Sequence, residues 1–298
     1  MPKVSVVMPV YNAGDYLVEA IESILNQTYS NFEFIIIDDA SKDRSLDIIK
    51  RYKKLYPTKI RLIQMRRNLN AGGDMCANEG IKKARGKYIA RMDADDISAP
   101  TRLEKQVEFL EENKKVFLVG SNAHVIDSNG EIIGEKLEPE SPQDIYKAYL
   151  TFHPLIHPSC MFRRFIRPNK PFSYTIKYNA NNDYYTFFKL ICTGQVFANL
   201  PEKLLYYRIH GKNDTFVNMK KKFINTLKIR LTMIFKYGYK PTVKDIAVSI
   251  IQSAALFLLP DRILLSMYFI SKGITKPTNT LEQLYVYFTT KPALEASS

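Results

Sequence analysis

Hydrophobic and polar positions alternate along the first third of the chain as strands and helices do in an α/β protein. Short apolar runs of strand type are separated by segments whose apolar residues recur every three or four positions. This order predicts a mostly parallel central sheet with helices on both faces. The predicted strands cover residues 4–8, 34–37, 60–65 and 88–92, and the predicted helices cover 15–27, 43–55 and 74–84.

The chain beyond residue 100 follows a different pattern. Leu103, Val107 and Leu110 recur at helical spacing and predict another amphipathic helix. Strands are predicted over 117–121, 124–127 and 204–209, and the turn residues Asn129 and Gly130 between apolar runs predict a hairpin. No secondary structure is predicted for the proline-rich stretch 141–181.

Polar side chains gather where the predicted strands end. In sheets of this kind, ligands bind beyond the carboxyl ends of the strands, and helix N-termini that point there favour phosphate. The Gly72-Gly73 pair opens the third helix and indicates a place where the backbone passes close to another group. We therefore expect a ligand site at this edge. Its polar clusters are Tyr11-Asn12, Asp38-Asp39 and Asp93-Ala94-Asp95-Asp96.

The acidic segment 93–96 is the most informative of these clusters. Its three carboxylates repel one another, and a divalent cation would remove that repulsion. Oxygen ligands suit Mg2+ or Mn2+, and Mg2+ typically takes one or two carboxylates together with substrate phosphates. The segment thus predicts a metal-bound phosphorylated substrate, against the alternative of a polar turn that caps the helix near Pro100.

Composition narrows the class of protein only a little. The 298-residue chain is 46% hydrophobic and 24% charged, as in ordinary globular proteins, and could form one domain or two. Its three scattered cysteines form no disulfide framework, and no apolar stretch reaches the roughly 18 residues of a membrane span. The N-terminus has no signal peptide pattern. We therefore expect a cytoplasmic protein.

The net charge of +13 is concentrated toward the C-terminus, because no acidic residue lies between Asp214 and Asp245. Apolar runs follow at 246–259 and 263–270, and 291–298 reads as a disordered tail. A basic helix beside short apolar helices is typical of an interfacial anchor on anionic lipid, but it would equally suit packing on the rest of the chain or on a second subunit. The apolar face predicted for a helix over 219–237 consists of Phe223, Leu227, Leu231 and Ile234.

Six short motifs occur in one order along residues 4–210. They are the runs 4–12 and 37–43, Asn70-Ala71-Gly72 with Asn78-Glu79-Gly80, 92–96, Asn182-Asp183-Tyr184, and Tyr207-Arg208-Ile209-His210. With these motifs the chain resembles a family 2 glycosyltransferase with a GT-A fold. Each motif alone is weak, whereas six in this order are specific. Two departures are Ala77, where many members have arginine, and Asn182, where glutamate is commoner.

The resemblance implies a nucleotide-sugar site at the ends of the first strands. Asp39 is implied to accept the imide N–H of uracil in a UDP-linked donor, with Tyr11 flanking the base and Pro9 lining the pocket. The motif that contains Asn70 and Gly72 is assigned to the same donor. The alternative for the acidic pair 38–39 is N-capping of the following helix, a role that residue 41 or 43 could also perform.

The resemblance also implies a metal site beside the donor diphosphate. Asp95 is expected to be the direct ligand of Mn2+ or Mg2+, and Asp93 to reach the ribose or a metal-bound water. The metal would neutralise the leaving diphosphate. His210 is implied to approach the metal or the diphosphate, against the alternative of a surface histidine. Arg208 is implied to pair with phosphate or with a nearby carboxylate.

Asp183 is implied to be the general base that takes the proton of the acceptor hydroxyl. Its aromatic neighbours Tyr184, Tyr185 and Phe187 are expected to desolvate the carboxylate and raise its pKa. The alternative is that Asp183 merely caps the following helix. His157 is implied to line the acceptor side, with a buried structural histidine as an equal alternative.

The sequence therefore predicts a metal-dependent inverting glycosyltransferase of surface polysaccharide synthesis. A UDP-sugar would be the donor, and a glycan or polyprenyl-linked glycan the acceptor, at the inner face of the cell membrane. The expected divisions are a catalytic domain over 1–215 with a nucleotide-binding half 1–98 and an acceptor-binding half 99–215, a helical extension over 216–290, and the tail.

Two other functions stay open at this point. A sugar nucleotidyltransferase is disfavoured because the loop 11–15 after the first strand carries no cation. A non-catalytic or degenerate nucleotide-sugar-binding protein is disfavoured because Asp39, Asp95 and Asp183 are all retained. Nucleic acid is not an expected partner, since the basic interval lacks the interleaved aromatic residues of a single-strand binding platform.

Overall fold

The first half of the chain forms the alternating strands and helices that its sequence pattern predicts. The computed structural model describes residues 1–69, 73–178, 180–210 and 219–259. The strands are β1 (Val4–Val10), β2 (Phe32–Asp38), β3 (Ile60–Gln64) and β4 (Tyr88–Arg91), and the helices are α1 (Leu17–Leu25), α2 (Ser45–Leu55) and α3 (Asp74–Lys83).

These four strands lie in the order β3-β2-β1-β4 and are all parallel. Consecutive side chains of a strand point to opposite faces, so Val6 and Met8 of β1 enter one core and Val7 enters the other. Helices α1 and α2 cover the first core, and α3 covers the second. A strand buried on both faces is expected to be apolar at nearly every position, and β1 follows this pattern except at Ser5, whose hydroxyl donates to Glu33.

The second half extends the same sheet in mixed orientation. Its elements are β5 (Ile97–Ser98), α4 (Arg102–Glu112), β6 (Val116–Ile126), β7 (Ile132–Lys136), α5 (Pro142–Ala148), β8 (Met161–Arg163), β9 (Phe165–Arg167), β10 (Lys170–Pro171), α6 (Asn182–Cys192) and β11 (Val196–Arg208). From β4 the sheet continues as β8-β6-β11-β5, with β6 parallel to β11 and β8 antiparallel to both its neighbours. The predicted hairpin is confirmed as β6–β7, and Gly130 at its turn has φ +87°.

Two strand predictions are wrong in extent. Residues 117–121 and 124–126 are parts of the single strand β6, which runs through the gap between the two predictions and ends before residue 127. The side chain of Asn122, in that gap, bonds to neighbouring chain segments. Its Nδ2 donates to Pro201 O at 2.9 Å, and its Oδ1 accepts the Glu138 N–H at 2.8 Å. Strand β11 begins well before residue 204, since an irregularity between Leu200 and Lys203 accommodates a proline that cannot donate to the ladder.

The chain continues in two helices, α7 (Met219–Tyr237) and α8 (Val243–Leu258). The apolar face predicted for α7 is wrong at Leu231, which is 54% exposed, whereas Ile234 packs against the core and the fully buried residues are Ile229 and Met233. Arg230 also points inward and donates to Gln252 Oε1 of α8 at 3.0 Å, so a polar anchor sets which face of α7 is turned inward. No helix in the described ranges is long and apolar enough to cross a bilayer. The predicted run 263–270 and the tail 291–298 lie outside the described residues.

Candidate active site

A cavity of about 400 Å3 opens where β1 and β4 end, at the edge of the sheet that the sequence predicts. Residues 70 and 72, which the sequence assigns to the donor site, lie outside the described ranges. Asp39, Arg208 and His210 are not among the residues that line the cavity. The predicted site residues that do line it are Pro9, Tyr11, Asp93, Asp95, His157 and Asp183.

The carboxylates that follow β4 have distinct partners. Asp93 Oδ1 lies 2.7 Å from the guanidinium of Arg91, a buried residue of the same strand. Asp95 Oδ2 lies 3.0 Å from His210 Nε2, and the His210 ring stacks on Tyr16 with centroids 4.8 Å apart. The end of β4 and the end of β11 are thereby joined beside the cavity.

Asp96 also connects the end of β4 to the end of β11. It is 1% exposed, and its Oδ1 accepts the backbone N–H of Arg208 at 2.8 Å. The Arg208 side chain is itself 1% exposed, forms an ion pair with Glu19, and donates from Nε to the carbonyl of Asp95 at 2.9 Å. For Arg208 this geometry favours the pairing with a carboxylate over the pairing with phosphate.

The residues after β4 fit a divalent cation. Burial raises the pKa of both Asp93 and Asp96, and the neighbouring carboxylates raise both further, so the cluster favours a positive charge beside it. Within the described ranges, no group of three or more potential ligands is arranged to hold a metal by itself. Asp95 and His210 would supply two ligands, and substrate phosphates would complete the shell in the usual way for Mg2+.

Asp39 is buried at the end of β2, next to the end of β1. Its N–H donates to Val10 O at 2.8 Å, and its Oδ1 accepts the N–H of Leu69 at 3.0 Å. Burial raises the pKa of Asp39, and the charge of Asp38 raises it further. Asp43 Oδ1 accepts the N–H of Ser45, the first residue of the helix that follows, at 2.9 Å. The capping alternative for residues 38 and 39 is therefore not needed.

Asp183 lies in the first turn of α6 and points into the cavity. Its Oδ2 lies 3.5 Å from His153 Nε2 and 3.8 Å from His157 Nδ1. Burial raises the pKa of Asp183, but the nearby imidazoles of His153 and His157 and the N–H of Tyr184 outweigh burial and lower it below its usual range. The prediction of a raised pKa is thus wrong. The capping alternative stays open, because the N–H of Tyr184 in the first turn of α6 also interacts with the Asp183 carboxylate.

His157 lies between two carboxylates. Besides its approach to Asp183, its Nε2 lies 2.8 Å from the hydroxyl of Tyr174 and 3.9 Å from Asp74 Oδ1. Burial lowers the pKa of His157 to about 3, so the imidazole is neutral at neutral pH. Burial and the charge of Asp183 raise the pKa of Asp74 well above its usual value.

Four further cavity residues escaped the sequence analysis: Asp74, Arg91, Lys136 and His153. Arg91 could have been predicted as a site residue, because a charged residue inside an apolar strand of a buried sheet requires a partner. Asp74 follows directly on the Gly72-Gly73 pair, which was also a signal. His153 and Lys136 belong to no motif, and only the folded chain brings them to the cavity.

Comparison with known proteins supports the family resemblance that the sequence motifs indicate. Residues 5–167 match the sequence profile described as Glycosyl transferase family 2. An uncharacterized glycosyltransferase of Methanocaldococcus jannaschii is 39% identical over 223 residues, which are 74% of this chain and 75% of that protein.

Solved structures share the fold at low sequence identity. S. aureus TarS 1–349 in complex with UDP gives a TM-score of 0.63 at 17% identity, over 86% of this chain and 72% of the TarS chain. The mannosyltransferase PcManGT from Pyrobaculum calidifontis, in complex with GDP-Man and Mn2+, gives 0.56 at 18% identity, over 97% and 85%. The predicted GT-A fold is confirmed.

Proposed function

Because the chain belongs to glycosyl transferase family 2, we propose that it moves a sugar from a UDP-linked donor to a glycan or lipid-linked glycan acceptor in surface polysaccharide synthesis. Its relatives are glycosyltransferases, so a nucleotide sugar is the donor class. One observation carries the proposal: a single cavity is lined by Asp93 and Asp95 and also by Asp183. Such a site can hold a donor diphosphate and present a base to an acceptor hydroxyl.

The proposed reaction is a single displacement with inversion at the anomeric carbon. Asp183 takes the proton of the acceptor hydroxyl while its oxygen attacks that carbon, and the bond from the carbon to the donor diphosphate breaks. The side chain of Asp183 is 24% exposed, so an acceptor can reach it. Both imidazoles approach Oδ2, which makes Oδ1 the oxygen that we expect to receive the proton.

Asp95 and His210 are the proposed ligands of Mn2+ or Mg2+, and Asp93 the proposed contact to the ribose or to a metal-bound water. When bound, the ion would neutralise the diphosphate as it leaves. Arg91, with its guanidinium 2.7 Å from Asp93, holds that carboxylate on the wall of the cavity. The side chain of Asp93 is therefore positioned by the protein before any ligand arrives.

The choice of UDP rests on Asp39. A carboxylate at the end of β2 can accept the imide N–H of uracil, and the bond from the Asp39 N–H to Val10 O puts the residue beside the start of the loop that carries Tyr11. The structural neighbours in complex with nucleotides include one with UDP and one with GDP-Man, so the fold alone does not select the base.

The outer surfaces of α7 and α8 are proposed to meet anionic lipid. Phe235, Phe257 and Leu258 are 82%, 65% and 80% exposed. The same helices carry several lysines and a single acidic residue, Asp245, so their charge complements an anionic surface. Large exposed apolar side chains beside lysines are typical of helices that lie in a membrane interface.

Thermal unfolding with a panel of nucleotides, with and without Mn2+, tests the donor site. UDP at about 100 times its Kd would add ~2.7 kcal/mol to stability and raise Tm, and GDP, CMP and ADP would add less. An Asp39→Ala variant should lose the preference for UDP while it keeps the dependence on Mn2+. No rise with any nucleotide at saturating Mn2+ would contradict the proposal.

A further inference from the structure

Tyr174 links the third sequence motif to the acceptor side of the cavity. It lies between β10 and α6 and is 2% exposed. Its backbone is held from both sides by Asn78 of α3, whose Oδ1 accepts the Tyr174 N–H at 2.8 Å and whose Nδ2 donates to Tyr174 O at 2.9 Å. The hydroxyl of Tyr174 then lies 2.8 Å from His157 Nε2. The motif residue Asn78 therefore fixes a side chain that contacts the histidine beside Asp183.

We propose that Tyr174 is a positioning residue that fixes the tautomer of His157, so that its Nδ1–H faces Asp183. The inference rests on the proposed role of Asp183 as the base, and it adds the device that orients that base. It gives His157 a role through Asp183 rather than a direct contact with the acceptor.

The direction of the hydrogen bond decides the tautomer. The Tyr174 hydroxyl proton needs an acceptor, and across the described residues His157 Nε2 is the one within hydrogen-bonding distance. Asp74 Oδ1 is buried and, in the described part of the chain, has no hydrogen-bond partner, so it does not take that proton. Nε2 therefore accepts. A neutral imidazole then carries its proton on Nδ1, the atom 3.8 Å from Asp183 Oδ2.

The protonation of the groups around the His157 imidazole agrees with a hydrogen bond donated by the Tyr174 hydroxyl to Nε2. Burial raises the pKa of Tyr174 well above its usual value, so the phenol keeps its proton, and burial keeps His157 neutral. An ionised Asp74 would draw a proton to Nε2, but burial and the charge of Asp183 raise the pKa of Asp74 well above its usual value, which disfavours the ionised form. The Tyr174 hydroxyl thus holds Nε2 as an acceptor, and without it the ring is free to adopt the opposite tautomer.

Nitrogen-15 NMR of histidine-labelled protein tests the inference without any activity measurement. The chain has four histidines, and a His157→Gln variant identifies the signals of His157. In the wild type we expect Nδ1 to carry the proton and Nε2 to be unprotonated. Tyr174→Phe, which keeps the ring but removes the hydroxyl, should populate the Nε2–H form. A wild-type spectrum with the proton on Nε2, or a tautomer unchanged in Tyr174→Phe, would overturn the inference.

Tyr239→Phe is the matched control, because Tyr239 is 3% exposed and its hydroxyl donates to Tyr146 O at 2.9 Å, in contact with α5. It should leave the His157 signals unchanged. The wild-type spectrum alone decides the tautomer, so the inference stays testable if Tyr174→Phe unfolds.

Kinetics separate this inference from the proposed function. Tyr174→Phe should lower kcat roughly two- to tenfold, the factor that one neutral hydrogen bond is worth, with the donor KM unchanged. In a His157→Ala background it should have no further effect, whereas an equal effect in both backgrounds would overturn the coupling. The expected tautomer together with an inactive wild-type enzyme would contradict the proposed function and not the hydrogen bond.

Discussion

Replacing Asp183 with asparagine tests the proposed reaction most directly. The amide has nearly the shape of the carboxylate and can keep its place beside His153 and His157, 3.5 and 3.8 Å away, but it cannot take the acceptor proton. A positioned general base contributes about 10²- to 10⁴-fold to the rate. At 1.36 kcal/mol for each factor of ten, Asp183→Asn should raise the barrier by about 3–5 kcal/mol.

The assay is release of UDP from a UDP-sugar, in which water can take the place of the unidentified acceptor. The rate should fall while Mn2+-dependent stabilisation by UDP is unchanged, since Asp183 belongs to α6 and the proposed donor residues follow the strands. Asp144→Asn is the matched control, because Asp144 is an exposed carboxylate in the first turn of α5. An Asp183→Asn variant that keeps more than about a tenth of the wild-type rate would refute the assignment.

The lowered pKa of Asp183 gives the same variant a pH signature. Its folded pKa lies below the ordinary aspartate value of ~3.9, so the charged form stabilises the fold above that value, and the contribution is lost on acidification. The stability difference between wild type and Asp183→Asn should be constant from about pH 8 to about pH 5 and shrink below. Denaturant midpoints measure it, and a difference that grows on acidification would indicate a raised pKa.

Three other predictions follow from the same structure. Asp95→Asn and His210→Ala should each raise the Mn2+ concentration needed for half-maximal stabilisation by UDP at least about tenfold, and unchanged metal dependence in both would remove them as ligands. Gly80→Ala should lower stability by about 1–3 kcal/mol in denaturant unfolding, because its Cβ would lie 2.6 and 2.9 Å from side-chain atoms of β2 and β1. The double change Phe235→Ser and Phe257→Ser should weaken co-sedimentation with phosphatidylserine vesicles, and equal binding would mean that this surface does not meet lipid.

The alternation of the first half was predictable because each element carries its own local pattern. The predictions that were wrong depend on contacts between residues that are distant in the sequence. Asn122 lies in the gap between two predicted strands, but Pro201 and Glu138 satisfy its amide, and β6 runs through it. The buried face of α7 was predicted wrongly at Leu231, because Arg230, which looks like a solvent-facing charge, is 5% exposed and bonds to α8.

The pKa of Asp183 also depends on residues that are distant from it in the sequence. The sequence around Asp183 presents aromatic neighbours, and these alone would raise its pKa. Tyr184 and Phe187 do lie in the core behind it, but His153 and His157 face the carboxylate, and they come from the loop after α5. The local sequence therefore predicted the burial of Asp183 but not the sign of its pKa shift.

Gly73 connects the two best sequence signals at the cavity. The glycine pair predicted a close approach of the backbone to another group, and the nearest side chains to Gly73 are those of Arg91 and Pro9. Gly73 has φ +80°, and a Cβ there would lie 3.4 Å from the Arg91 Nη2 and 3.6 Å from the Pro9 Cγ. The same guanidinium lies 2.7 Å from Asp93. A side chain at position 73 would be strained by the positive φ, whereas its Cβ would meet Arg91 and Pro9 at ordinary van der Waals distances, so the backbone conformation at the start of α3 is what requires glycine.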